Sequence, residues 1–387
     1  MLGWQRSLDH TIEFALSSSE GERRTDKVIL EMPMSKDSPI RTMIVGLGRI
    51  GWQHHIKAAA ESPHFEVTAA VDTLAERRDE AEATYGCATF ETLEEGLTSG
   101  LAELAVICTR SLDHCEHTVK SLEAGLHAFV EKPAAMSAEE MDRMIAAAQK
   151  AGLVVTVNQS ARRSPDLRFI REVIDSGALG NVFWIRRSAL CFYRRHDWQM
   201  SKEYGGGILG NAGVHLIDQI LRLADAPVFD VWGDVKHTGA SSGDADDFAR
   251  ASIRTTDGRL LEVLTTYTCM FDQPGWLVAG STGTLTIERP QTDQAKSHAV
   301  LKYFDPKKAP QRPVEGPVPV DRLYRHPEEL PWITWEGQPV PKRDFPDWYE
   351  ALYRAIRYGE EPLVTPESAR QTLWVIDQVR DKSQWKY

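Results

Sequence analysis

Lys132 ends the stretch Phe129-Val130-Glu131-Lys132-Pro133, in which apolar residues lead into an acid, a lysine and a proline. The stretch reads as a buried strand, and the carboxyl ends of such strands are where open α/β sheets bind ligands. An ammonium group there can donate a hydrogen bond to an oxygen that gains negative charge during a reaction. The Lys132-Pro133 bond is a candidate for the cis form, which would fix the lysine's direction in a tight turn. Glu-Lys-Pro alone is an ordinary surface turn, so its meaning depends on what else the chain carries. A second polar group follows three glycines, Gly205-Gly206-Gly207, which allow close backbone approach to a ligand or a neighbouring element. If the segment after them is helical, Asn211 and His215 are four apart and share a face, with Asp218 three further on the same side. A histidine titrates near neutrality and is suited to taking a proton.

The third group is Gly46-Leu47-Gly48-Arg49-Ile50-Gly51, between the apolar strand Thr42-Met43-Ile44-Val45 and a helical stretch through Ala60. In such a turn Gly46 permits the sharp bend, Gly48 lets backbone approach a pyrophosphate, and Gly51 lets the helix pack on the strand. The helix N-terminus adds free N–H groups and a partial positive charge. The next strand, residues 66–71, ends in Asp72, 21 residues beyond Gly51. That is the spacing of an acid that binds a ribose 2′-hydroxyl. Together these features point to a dinucleotide. The charge of Asp72 would repel a 2′-phosphate, which favours NAD over NADP. Arg77 and Arg78 could soften that preference, or serve as solvated charges on the next helix. His54 and His55, on the first helix, read as packing or helix-surface residues.

Strands and helices alternate around these groups. Helices are expected at 75–85, 91–97, 113–124 and 137–151, the last with Ser137 as N-cap and Glu140 completing a capping box. Strands are expected at 102–108, 127–131 and 153–157. Alternation of this kind implies a doubly wound parallel sheet, here ending near residue 158. Beyond a helix at 165–176, strands are expected at 182–189, 228–235, 248–254, 260–268 and 276–279, with Thr256-Asp257-Gly258 as a hairpin turn. Turn-linked strands suggest a largely antiparallel sheet with helices on one face. Ten of the 20 prolines lie between Pro290 and Pro341, so residues 290–341 are expected to form an extended surface loop. Two helices close the chain, at 346–357 and 366–379.

In this order and spacing the motifs resemble the Gfo/Idh/MocA oxidoreductases, from about residue 41 to the C-terminus. The resemblance rests on the glycine turn, on Thr109 with His114 upstream of Leu122-Glu123-Ala124-Gly125, on Glu131-Lys132-Pro133, and on the glycine run leading to His215 and Asp218. It implies an α/β N-terminal Rossmann domain plus an α+β C-terminal domain with an open, largely antiparallel sheet. It implies NAD held by Gly46, Gly48, Arg49, Ile50, Gly51, Asp72, Arg77, Thr109, His114, Glu131 and Lys132, with nicotinamide near Lys132. A secondary alcohol of a sugar, glycoside or cyclitol would give hydride to the ring. His215 would take the hydroxyl proton while Lys132 stabilises the alkoxide. Asn211 would position His215 or a second hydroxyl. Asn158, Arg162, Trp198, Tyr204 and Asp218 would contact substrate. Asn211 replaces the aspartate commonest at that family position; it can orient an imidazole but cannot stabilise imidazolium by charge.

Two other readings use the same residues: a redox-neutral NAD-dependent glycosidase that oxidises C3 and eliminates the aglycone, and a non-catalytic NAD-binding regulator. The resemblance also implies a homodimer or homotetramer.

The chain has 387 residues, long for one core, and is expected to divide into a flexible extension (1–40), an NAD-binding domain (41–158) and a substrate-binding and oligomerisation domain (159–387). A formal charge of −11 argues against nucleic-acid binding, and no apolar run approaches the length of a membrane span. The five cysteines show no paired or metal-type spacing, which suggests reduced thiols, no metal and a cytoplasmic setting.

Overall fold

The structure is a computed structural model that describes residues 38–271, 273–288, 297–314, 327–342 and 344–385. The expected N-terminal extension lies outside the described residues except for Ser38, Pro39 and Ile40. Pro39–Tyr387 form one compact unit.

Six short, apolar runs pair in parallel. They are β1 (Ile40–Val45), β2 (Phe65–Val71), β3 (Ala88–Phe90), β4 (Leu104–Ile107), β5 (His127–Glu131) and β6 (Val155–Asn158), in the order β3-β2-β1-β4-β5-β6. Met43, Ile44, Leu104, Ala105, Ala128 and Val130 are buried on the central strands, as expected of a sheet covered on both faces. The connecting helices are α1 (Ile56–Glu61), α2 (Ala75–Tyr85), α3 (Leu93–Thr98), α4 (His114–Glu123) and α5 (Ala138–Ala151). The strand order reverses between β1 and β4, and a crevice at such a reversal is the ligand site of this architecture. Ser137 caps α5 as expected, its side chain accepting from Glu140 N; the Glu140 carboxylate, however, accepts from Met136 N at 2.8 Å rather than from Ser137.

After α6 (Pro165–Asp175) the pattern changes. The second sheet contains β7 (Val182–Leu190), β8 (Val228–Lys236), β9 (Phe248–Thr255), β10 (Leu260–Thr266), β11 (Trp276–Gly280), β12 (Gly283–Glu288), β13 (His298–Tyr303) and β14 (Ile333–Gly337). Among the described residues its order is β14-β13-β12-β11-β7-β10-β9-β8. Every pairing is antiparallel except β7 with β10. α7 (Val214–Ala224) lies against β7 and β10, and α9 (Pro366–Lys382) against β8.

Two expectations need correction. Residues 290–341 are not a loop throughout, because β13 and β14 lie within them and extend the sheet. The prolines flank these strands and do not interrupt them, so ladder hydrogen bonds are kept. Part of this stretch, 290–296 and 315–326, lies outside the described residues. The chain also does not stay with the second sheet to its end. α8 (Trp348–Tyr358) returns to the first half, where the Tyr349 ring packs edge-on against Phe65 and Phe129 and Tyr353 stacks on His64. α9 packs on α5 as well as on α7.

Candidate active site

β5 brings Lys132 to the carboxyl edge of the first sheet, and the Lys132–Pro133 peptide is cis. Its Nζ donates to Asn211 Oδ1 at 3.2 Å and to the Asn211 carbonyl at 3.3 Å. The Asn211 amide nitrogen donates to Gln199 Oε1 at 2.9 Å and reaches the Tyr267 hydroxyl at 3.5 Å. Arg195 donates to that hydroxyl at 3.1 Å. Asn211 therefore partners the lysine. Residues Leu209–Gly213 form a π-helical turn and not a regular α-turn, and the side-chain bonds of Asn211 run to Lys132, Gln199 and Tyr267. The glycine run is what allows this turn to lie so close to its neighbours. A Cβ on Gly206 would sit 2.5 Å from the Gln199 carbonyl oxygen.

Burial pushes the Lys132 ammonium below its ordinary pKa; the Glu131 charge opposes this, and Arg49 and Arg195 add to it. His215 lies at the start of α7. Burial, with help from Lys132 and Arg187, pushes its imidazole down to about 3. Its Nδ1 is buried without a hydrogen-bond partner.

The nucleotide crevice begins where β1 meets its glycine turn. Gly46 has φ +95°, and a Cβ there would lie 2.9 Å from the Cys108 carbonyl carbon, so only glycine fits. At Gly48 a Cβ would meet nothing within 4 Å, which leaves the turn open on the side a pyrophosphate would take. Asp72, at the end of β2, turns towards this loop. Its Oδ2 accepts from Leu47 N at 2.8 Å and from Arg77 at 3.2 Å, and its Oδ1 from Leu74 N at 3.0 Å. Arg49 is exposed, Ile50 is half-buried, and Thr109 stands at the end of β4 with its hydroxyl 3.1 Å from His117 Nδ1.

Five residues expected to touch cofactor or substrate make polar contacts inside the protein. His114 is buried, with Nδ1 2.7 Å from the Pro133 carbonyl and Nε2 3.1 Å from the Thr109 carbonyl; it ties two site loops together from behind. Glu131 is buried, and its Oε1 accepts from His55 Nε2 at 2.8 Å and from the Asn158 amide, while Oε2 accepts from Lys132 N at 3.0 Å. That commits Asn158 to Glu131. Arg162 and Asp218 form a bidentate pair at 2.9 and 2.6 Å, in which Asp218 has no exposure and also accepts from Thr372. Of the expected substrate contacts, Trp198 and Tyr204 remain open, at 42% and 38% exposure.

The sequence reading missed Tyr349, Gln199, Tyr267 and Arg195, and gave His55 only a packing or helix-surface role. His55 ends a π-helical turn, Gly51–His55, and is only 3% exposed. Its Nδ1 lies 2.9 Å from the Tyr349 hydroxyl. Its partners stand 76 and 294 positions away, so no local spacing could announce them.

Comparison with known proteins now bears on this geometry. Residues 40–159 match the oxidoreductase family with an NAD-binding Rossmann fold, and residues 167–286 match the GFO/IDH/MocA C-terminal domain. The chain belongs to the GFO/IDH/MocA oxidoreductase family. Residues 40–159 are that family's NAD-binding domain. It is 28% identical over 194 residues to D-glucoside 3-dehydrogenase of Escherichia coli, covering 49% of this chain and 55% of that protein. It is 31% identical over 189 residues to the rhizopine catabolism protein MocA of Rhizobium meliloti, covering 47% and 56%. These matches thus span little more than half the length of either relative. An NAD-binding protein from Listeria innocua, of known structure, superposes with a TM-score of 0.75 at 26% identity, over 89% of this chain and 95% of that one. Among the described residues no helix is long and apolar enough to cross a membrane.

Proposed function

We propose that this protein is an NAD-dependent oxidoreductase that moves hydride between nicotinamide and a secondary hydroxyl of a sugar, glycoside or cyclitol. The observation that carries the reading is the state of Lys132. An ammonium has three N–H donors. Two acceptors of Asn211 engage Nζ, which leaves a donor for a substrate oxygen. NAD, when bound along the Gly46–Gly51 turn, supplies the hydride acceptor. Lys132 then stabilises negative charge as it grows on the oxygen. His215 is held neutral, the form that can accept a proton at a ring nitrogen, and its unpartnered Nδ1 is consistent with that task. Trp198, next in the chain to the Gln199 that Asn211 contacts, and Tyr204 are exposed aromatic residues on which the C–H faces of a sugar ring can pack. The names of the relatives, a D-glucoside 3-dehydrogenase and a rhizopine catabolism protein, support the same class.

The large sheet supports a homodimer or homotetramer. Trp232 on β8 is 51% exposed on the sheet surface away from the core, and a second copy would cover it. Sedimentation at micromolar protein tests this; a monomer refutes it.

The decisive experiment incubates purified protein and NAD with a panel of glycosides and inositols, following NADH and organic products together. Accumulating NADH with a keto product is the expected result. Aglycone release without net NADH would replace this reading with a redox-neutral glycosidase. NAD binding without turnover on any member would replace it with a non-catalytic regulator.

A further inference from the structure

Glu131 is the one acid in direct sequence contact with Lys132, and it does not bind the ammonium. Both of its oxygens point elsewhere, to His55, to Asn158 and to the backbone N–H of Lys132. The acceptors that do hold Nζ, the Asn211 amide oxygen and carbonyl, are neutral. The cations Arg49 and Arg195 are close enough to disfavour a charged Lys132. The carboxylate of Glu131 is then the negative charge that balances them, and whatever keeps it a carboxylate governs the lysine.

That task falls on two residues outside the reacting group. His55 Nε2 lies 2.8 Å from Glu131 Oε1, and His55 Nδ1 lies 2.9 Å from the Tyr349 hydroxyl. If the Tyr349 O–H donates to Nδ1, the neutral imidazole carries its proton on Nε2 and must donate it to Glu131. If His55 is cationic, Nδ1–H donates to the Tyr349 oxygen and the hydroxyl turns to the His55 carbonyl, 3.2 Å away. In both of these states the nitrogen facing Glu131 is a donor; the remaining tautomer, with Nε2 bare and the Asn158 amide 3.3 Å from it, would set two lone pairs against each other at 2.8 Å and is disfavoured beside a carboxylate. The Phe129 ring lies edge-on to His55, at 5.4 Å between centroids, and walls the pair from solvent.

Resting on the reading that Lys132 serves the reacting oxygen, we infer that His55 and Tyr349 are positioning residues. They hold Glu131 as a buried carboxylate behind Lys132, and this charge keeps Lys132 an ammonium under catalytic conditions. The neighbouring titratable groups agree. Burial would push the Glu131 carboxyl up, but the bonds from His55 and Asn158 and the Lys132 charge leave it below its ordinary value. Burial lowers His114, Lys132 and His215 and raises Cys108 and Tyr349; the Glu131 charge opposes burial at the first three and adds to it at the last two, and these groups face it from just beyond β4 and β5 and from α4, α7 and α8.

The test needs no substrate. Competitive acetylation of Lys132, read by mass spectrometry across a pH series on the full chain, reports its titration directly. Glu131→Gln should lower the Lys132 pKa by about one unit, the size of an opposite charge at short range. His55→Leu and Tyr349→Phe should lower it in the same direction by smaller steps, and His55→Gln, which keeps a donor towards Glu131, should restore most of the parent value. A parent-like Lys132 titration in both His55→Leu and Tyr349→Phe, with Glu131→Gln shifted, would overturn the inference and leave the pair a packing feature. Should His55→Leu fail to fold, Tyr349→Phe carries the test alone. Because labelling is independent of turnover, an enzyme with no activity on sugars would sink the proposed function while leaving this result readable.

Discussion

Glu131 and Asp218 are both buried carboxylates behind the candidate site, and they are neutralised in different ways. Asp218 faces a guanidinium that is charged at every accessible pH and grips both oxygens. Glu131 faces an imidazole, an amide and a backbone N–H. A carboxylate matched by a permanent cation exports little field. One held by hydrogen-bond donors keeps its charge and exports it. Glu131 opposes the effect of burial at Lys132 and His215, whereas Asp218 does so at Arg222 further along α7. Asp218 thus joins α7 to α9 as a fastening, and Glu131 tunes.

The largest expected effect is on the fastening. Arg162→Met leaves Asp218 buried and unpaired, so unfolding free energy should fall by about 3–5 kcal/mol. The pH dependence of turnover in the remaining folded protein should stay where it was. Chemical denaturation beside a pH–rate series measures both, and a displaced pH profile would erase the distinction between the two acids. Next comes the group that Glu131 tunes. Lys132→Met should cut hydride transfer by about 10²–10³-fold, as for loss of a donor to a developing oxyanion, with NAD affinity nearly intact by calorimetry. Loss of NAD binding would move Lys132 from the reacting oxygen to the cofactor.

Asn211→Asp probes the comparison from the other side. It places an acid directly on Nζ, at the 3.2 Å now spanned by a neutral amide. The opposite charge favours the ammonium, so the Lys132 titration should move up by about one unit. Any limb of the pH–rate profile due to Lys132 should move to alkaline pH with it. An unmoved profile would mean that another group sets that limb.

How far the sequence foretold this arrangement depends on distance along the chain. The first sheet, apart from its three-residue edge strand β3, was legible because each strand, turn and helix is written in adjacent residues, with Asp72 at a fixed interval from Gly51. β13 and β14 were hidden because proline density was read over a wide stretch, whereas the strand residues themselves, His298–Tyr303 and Ile333–Gly337, contain none. The bond from Lys132 to Asn211 is not legible from spacing, because the two residues stand 79 positions apart and Asn211 sits in a π-helical turn. Glu131, Asn158, Arg162 and Asp218 were recognisable as polar residues near the site, but whether such a residue faces a ligand or another side chain is decided by packing. His55 shows the limit most plainly, since α8 must return across the molecule before Tyr349 can reach it.

The smallest effect concerns acid. His215 and His127 are both held neutral by burial, at about 3 and about 4, and Arg357 assists at His127. Unfolded, each would titrate near 6.5. The unfolded chain therefore binds more protons than the folded one between these values, and stability falls as pH drops below about 6.5. From pH 7 to 5.5 each histidine should cost about 1 kcal/mol. His127 accepts from Val154 N at 2.9 Å, far from the tuned charge, so replacing it should remove its share of the acid loss without moving the Lys132 titration. His215 feels Glu131, so Glu131→Gln should depress its pKa further while leaving His127 unchanged. Melting curves over this pH range, with histidine resonances in both variants followed down to about pH 3, where the two groups titrate, separate them. Equal shifts at both histidines would mean that the Glu131 charge is not confined to the site it adjoins.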